Sequence, residues 1–155
     1  MKREQWMKKA LKLASENIDR DGGPFGAVLV KDGEIIAEAA NRVTPDHDPT
    51  AHAEVLAIRR GAEALGTHDL SGCELYASCE PCPMCMGAIY WARIPVVWYA
   101  ADRRDAQQAG FDDSLIYDEL EKPPGERRIR MEQLPMEEAN MAFRKWSDHP
   151  GVKPY

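Results

Sequence analysis

The hydrophobic period of the chain changes abruptly near residue 22, and that change limits the folds open to it. From Arg3 to Asp19, the residues Met7, Leu11, Ala14 and Ile18 recur every three or four positions, the stripe of an amphipathic helix. Gly22-Gly23-Pro24 then breaks the chain. Beyond it lie two strand-like runs, Phe25 to Val30 and Glu34 to Ala40, separated by Asp32-Gly33, which has the turn chemistry of a tight β-hairpin. After a loop rich in turn formers from Asn41 to Pro49, helical and extended patterns alternate. Thr50 is the expected N-cap of a helix from about Ala51 to Leu65. Leu75 to Ser78 reads as a strand, and Pro81 to Pro83 lead into a helix ending near Arg93. Val96 to Ala100 reads as a strand, Ser114 to Leu120 as a helix, Arg128 to Leu134 as a fifth strand and Glu137 to Trp146 as a last helix. A hairpin followed by such alternation requires a mixed sheet with helices on its faces. The expected fold is therefore of the α/β class, a three-layer α/β/α sandwich around a five-stranded mixed sheet. With 155 residues, one domain spanning 1–155 is expected.

Charge narrows the partners. The chain carries 20 Lys and Arg against 26 Asp and Glu, a net charge of -6, which argues against a general nucleic-acid surface or an acidic-membrane surface. Its longest apolar run, Met84 to Ala92, is far short of the ~18 residues that cross a bilayer. The N-terminal residues lack the apolar stretch of a secretory signal, so a cytoplasmic location is expected. All four cysteines lie between Cys73 and Cys85. In a reducing compartment such a cluster points to metal or redox chemistry more than to a disulfide framework.

Two short pieces decide between those chemistries: His52-Ala53-Glu54 and Pro81-Cys82-Pro83-Met84-Cys85. A catalytic zinc keeps three protein ligands, commonly imidazole and thiolate, and leaves a fourth position for water. His52, Cys82 and Cys85 supply that count, and Glu54 remains as an acid beside the water. Cys82 and Cys85 share a face at the start of one helix, where thiolate is favoured over thiol. His52 and Glu54 lie roughly 200° apart around an ideal helix, so they act together only from its first turn. The metal is thus expected between two helix N-termini. An H-x-E piece followed by P-C-x-x-C is the signature of the zinc nucleobase deaminases. A structural zinc would need a fourth ligand, and a redox pair would leave His52 and Glu54 without a role. Cys79 also forms a C-x-x-C with Cys82, but reads as a small buried neighbour of the site. Trp91, one or two helix turns beyond the cysteines, either packs in the core or walls the substrate pocket.

At these residues the chain resembles the bacterial guanine deaminases of the cytidine deaminase superfamily. The likeness extends to Gly22-Gly23-Pro24-Phe25-Gly26-Ala27-Val28, Asp48 to Glu54, Ser78 to Cys85, Gly87 to Arg93, Ala109-Gly110-Phe111-Asp112-Asp113-Ser114 and the final Lys153-Pro154-Tyr155. The first three stretches are shared in part with tRNA adenosine deaminases and cytosine deaminases. The Phe-Asp-Asp segment and the C-terminal Tyr are what point to guanine. The resemblance implies hydrolytic deamination of guanine to xanthine and ammonia, with tRNA adenosine, guanosine, cytosine or an amino-triazine as the alternative substrates. It implies one Zn2+ per subunit with water or hydroxide as fourth ligand, a small purine base as partner, and neither nucleic acid nor membrane. Glu54 would carry the proton. Asn41 would hold the base edge, Phe25 would wall or stack on the purine, Asp113 would contact substrate and relay a proton, and Tyr155 would close the pocket. Each has a plainer structural alternative: a loop cap for Asn41, core packing for Phe25, a helix N-terminal charge for Asp113 and a loose chain end for Tyr155. The resemblance also implies a homodimer in which the C-terminal segment, about 136–155, is exchanged between subunits.

Overall fold

In the computed structural model, which describes residues 2–155, Asp32 and Gly33 have φ of 52° and 79°. Two successive positive φ values make a type I′ turn, whose twist matches that of the strands it joins. The turn closes an antiparallel hairpin between β1 (Gly26–Lys31) and β2 (Glu34–Ala40), with Lys31 opposite Glu34 and a register shift between Leu29 and Val30. α1 (Lys2–Ile18) precedes the hairpin, and α2 (Ala53–Leu65), β3 (Cys73–Cys79), α3 (Pro83–Trp91), β4 (Val96–Ala101) and α4 (Arg103–Gln108) follow it. The strand order is β2-β1-β3-β4; β3 runs antiparallel to β1 and parallel to β4.

β1 is buried along five of its six residues, so its alternating side chains feed two cores. Ala27 and Leu29, with Leu75 of β3, pack against Ala53, Ala57 and Ile89 of α2 and α3. Val28, Val30 and Tyr76 pack on the other face against Ala10, Trp6, Met7 and Leu13 of α1. That is the three-layer α/β/α arrangement. Tyr76, 1% exposed, anchors the α1 side. It meets Trp6 edge-on at 5.3 Å and stacks with Trp98 at 6.4 Å, while its hydroxyl donates to Glu74 (2.9 Å). Glu74 also accepts from Trp98 Nε1 (2.8 Å). α1 crosses the start of β1 at backbone distance, because a Cβ on Gly26 would collide with the Ala10 carbonyl and with Leu13.

Two expectations need correction. The sheet has four strands, not five, because Arg128–Leu134 forms none. Its Ile129/Met131 alternation looks extended, but a strand must pair its backbone, and residues 114–155 contain no other strand. The neighbouring Arg127 instead donates to the carbonyls of Glu119, Leu120 and Lys122. Conversely, α4 was not expected. Asp102 accepts from the N–H groups of Arg104 and Asp105, and Asp105 accepts from Asp102 N (2.9 Å), a reciprocal capping box that starts this short helix.

The chain divides into two compact units after Asp113. The second holds α5 (Ser114–Glu121), two short 3-10 turns and α6 (Met141–Asp148). No residue in 114–155 is buried: Ile129 is 76%, Leu134 80% and Phe143 70% exposed. No helix among the described residues is long and apolar enough to cross a membrane.

Gly26→Ala is expected to lower stability by about 1–3 kcal/mol, as overpacking does. Urea unfolding followed by Trp fluorescence measures it, and an unchanged midpoint would show that α1 does not depend on this close contact.

Candidate metal centre

The loop after β2 is cinched at its base. Arg42 N donates to Ala51 O (2.9 Å), so Asn41 at one end and His52 at the other leave the loop side by side. Thr50 does not cap α2 as expected. Its hydroxyl and its N–H both bind Asp48 Oδ1 (2.7 and 2.8 Å), a local turn that competes with capping. The N-cap position of α2 falls to His52, whose backbone is extended and whose side chain caps nothing. Its imidazole is therefore available for another partner. Cys82 stands in the same relation to α3: N-cap position, extended backbone, no side-chain cap, and Pro83 opening the helix behind it. Cys85 follows three residues later, one turn up the same face.

These positions converge. His52 Nδ1 lies 3.5 Å from Cys82 Sγ and 3.5 Å from Cys85 Sγ, and the three donor atoms lie within 4.8 Å of one another. A tetrahedral zinc with Zn–S near 2.3 Å and Zn–N near 2.0–2.1 Å would separate a sulfur from a nitrogen by about 3.6 Å. The residues present fit that ion in donor type, number and spacing.

The electrostatics agree. Cys82 is held down to about 4, chiefly by the hydrogen bond from the Cys85 thiol and further by the His52 ring. Cys85, as the donor in that pair and buried, is pushed far up. His52 is raised by its bond to Cys82. A divalent cation at this point would hold both sulfurs as thiolates. Glu54, in the first turn of α2 and 5% exposed, has its carboxyl pushed up by burial, against a hydrogen bond to Cys85 that pulls it down. Cys73 and Cys79 are buried outside the triangle, and burial raises both thiols, Cys79 to about 11.

The other candidate residues are spread more widely. Asn41 is 7% exposed; its Oδ1 accepts from Val43 N (3.1 Å), and its Nδ2 has no hydrogen-bond partner among the described residues. Phe25 packs against the α2/α3 core and meets Phe111 edge-on at 5.0 Å. Asp113, half-buried, is raised by burial against the pull of Arg103, and it senses the charge of Cys82. Trp91 ends α3, about 9 Å along the axis from Cys85, and is 67% exposed, which does not fit core packing. Tyr155 belongs to the second unit and is 71% exposed. Sequence reading missed Asn17, a buried amide that donates to the Asn41 carbonyl (2.7 Å). The available signal was a polar residue three beyond Ala14 and seven beyond Ala10, on the buried stripe of α1.

Residues 1–101 match the family model described as the cytidine and deoxycytidylate deaminase zinc-binding region. The chain belongs to this deaminase family. The matched region contains His52, Glu54, Cys82 and Cys85. Among curated relatives, the chain is 53% identical to a guanine deaminase of Bacillus subtilis (strain 168), with 100% of both chains covered. It is 40% identical to a tRNA-specific adenosine deaminase of Aquifex aeolicus (strain VF5), over 90% of each. An X-ray structure of guanine deaminase from Bacillus subtilis superposes with a TM-score of 0.97 at 53% identity, covering 100% of this chain and 99% of that one. The three-layer fold, with four strands in its sheet, is thus the deaminase fold.

Purified protein is expected to carry about one zinc per chain, lost in His52→Ala and Cys85→Ala and kept in Glu54→Gln, as read by elemental analysis. Chelation should leave the far-UV circular dichroism intact, because the cores on the two sheet faces do not include the three ligands. Unfolding on chelation would make the ion structural.

Proposed function

We propose that this chain hydrolyses guanine to xanthine and ammonia. The full-length likeness to a guanine deaminase carries the reading, because it includes the second unit, which the shared zinc motifs leave unexplained. His52, Cys82 and Cys85 are the proposed ligands of Zn2+. With water in the fourth position, the ion would supply a water acidified towards a pKa of ~7. Glu54 takes the proton that this water gives up. The water oxygen bonds to C2 of the base while Glu54 passes the first proton to a ring nitrogen; Glu54 then carries the remaining proton of the new C2 hydroxyl to the amine, so that the C2–amine bond breaks, ammonia leaves and the C2 carbonyl of xanthine forms. Burial raises the affinity of Glu54 for a proton, as a shuttle requires, while the cation's charge opposes that shift. Asn41 presents its Nδ2 donor to an acceptor on the purine edge. Phe25, braced by Phe111, walls the ring, and Asp113 contacts the substrate and relays a proton. Tyr155 closes the pocket.

Glu54→Gln should lower kcat by about 10²–10⁴ while keeping its zinc; near-normal turnover would remove Glu54 from the proton path. A panel of guanine, guanosine, adenine, cytosine and tRNA, assayed for ammonia release, should give the highest kcat/KM with guanine. The 40% identity to a tRNA-specific enzyme supplies the competing substrate, which the net charge of -6 disfavours. Deamination of tRNA but not of guanine would reverse the assignment.

The protein is further proposed to act in the cytoplasm as a homodimer, with residues 1–155 as one functional domain and about 136–155 exchanged between subunits. The exposure of Leu134, Phe143 and Trp146 supports this, since one chain alone leaves them in water. Light scattering should report twice the mass of one chain; a monomer at micromolar concentration would refute the exchange.

A further inference from the structure

We infer that Asn17 is a positioning residue for the base-binding amide, holding Asn41 from below and so setting how tightly the site grips its substrate. This rests on the role proposed above for Asn41. α1 presents an apolar stripe to the sheet, and Asn17 interrupts it: a carboxamide, 3% exposed. Such a group is costly to bury unless its donors are satisfied. Asn17 Nδ2 donates to two carbonyls, Gly23 O (2.8 Å) and Asn41 O (2.7 Å), which accounts for both of its N–H bonds. The Asn17 backbone carbonyl accepts from Arg20 N and Gly22 N, each at 3.0 Å. One residue therefore joins the end of α1, the Gly22-Gly23-Pro24 loop and the residue that follows β2.

The consequence falls on Asn41, which is held at three points. Its N–H donates to Phe25 O (3.0 Å), its carbonyl accepts from Asn17, and its Oδ1 accepts from Val43 N (3.1 Å). Gly23 completes the enclosure, since a Cβ there would stand 3.1 Å from Asn41 Cγ and Oδ1. With backbone and Oδ1 both held, the direction of the Asn41 Nδ2 donor is set. Among these bonds, the one from Asn17 links Asn41 to α1. Loss of Asn17 would leave the Asn41 carbonyl without its donor and release Asn41 from the helix, while Gly23 O keeps the N–H of Phe25 (2.9 Å). None of the Asn17 hydrogen bonds goes to His52, Cys82 or Cys85, so the effect is separable from metal binding.

The test is a double-mutant cycle on guanine kinetics with Asn17→Ala, Asn41→Ala and the double variant, with zinc content and Tm measured on each. Asn17→Ala should lower kcat/KM by about tenfold or more, mainly through a raised KM and with wild-type zinc; in the Asn41→Ala background the same change should cost less than about threefold, because the group it positions is gone. Gly22→Ala keeps every Asn17 atom but drives a methyl against Asn17 Nδ2 and Asn41 O. It should reproduce the rise in KM, and it decides the matter if Asn17→Ala does not fold. A wild-type KM in the folded Asn17 and Gly22 variants, or an equal loss in both backgrounds, overturns the positioning role. If Asn41→Ala alone has wild-type kcat/KM, the base-binding role of Asn41 falls and this inference with it.

Discussion

The His52 imidazole lies 3.5 Å from both the Cys82 and Cys85 sulfurs, and no single element supplies all three groups. Two helices must begin next to each other, with their first residues facing. That condition is met because α2 and α3 pack on the same face of one sheet, over Leu29 and Leu75. Each helix opens on a ligand in the N-cap position that does not cap its own helix. Much of the site's chemistry follows from that shared edge. The Cys85 thiol and the His52 imidazole, both directed at Cys82, hold its thiol well below the usual range. Glu54 is buried because it occupies the first turn directly behind His52.

Nearly all of the first unit was legible in the sequence, for reasons that are local. The hairpin turn is specified by Asp32-Gly33, since these residues tolerate the positive φ a type I′ turn demands. The helices and strands follow from apolar period and from Pro and Gly breaks. The H-x-E and P-C-x-x-C pieces name the ligand types and place them at helix starts. What failed was equally physical. Arg128–Leu134 has the alternation of a strand, but alternation describes a face and not a pairing partner. Thr50 is a good capping residue whose hydroxyl found Asp48 first.

The polar support of the site was the least legible part. Asn17 and Ser78 are buried, and each acts on a backbone group distant in sequence: Asn17 on the Asn41 carbonyl, Ser78 as acceptor for Gly26 N (3.0 Å). Such bonds carry no periodic signal. They are recognisable only once α1, the glycine loop and the end of β2 are seen to meet.

The sequence by itself determined the donor set and the hairpin that begins the sheet, since spacing and turn chemistry act over a few residues. Tertiary structure alone decided the rest. It brought His52 to cysteines 30 and 33 residues away. It buried Glu54, and it anchored Asn41 from a helix 24 residues earlier. It also left the apolar residues of 114–155 unburied. Long-range contact, desolvation and unmatched apolar surface are properties of packed elements, and none of them is encoded in any short stretch of chain.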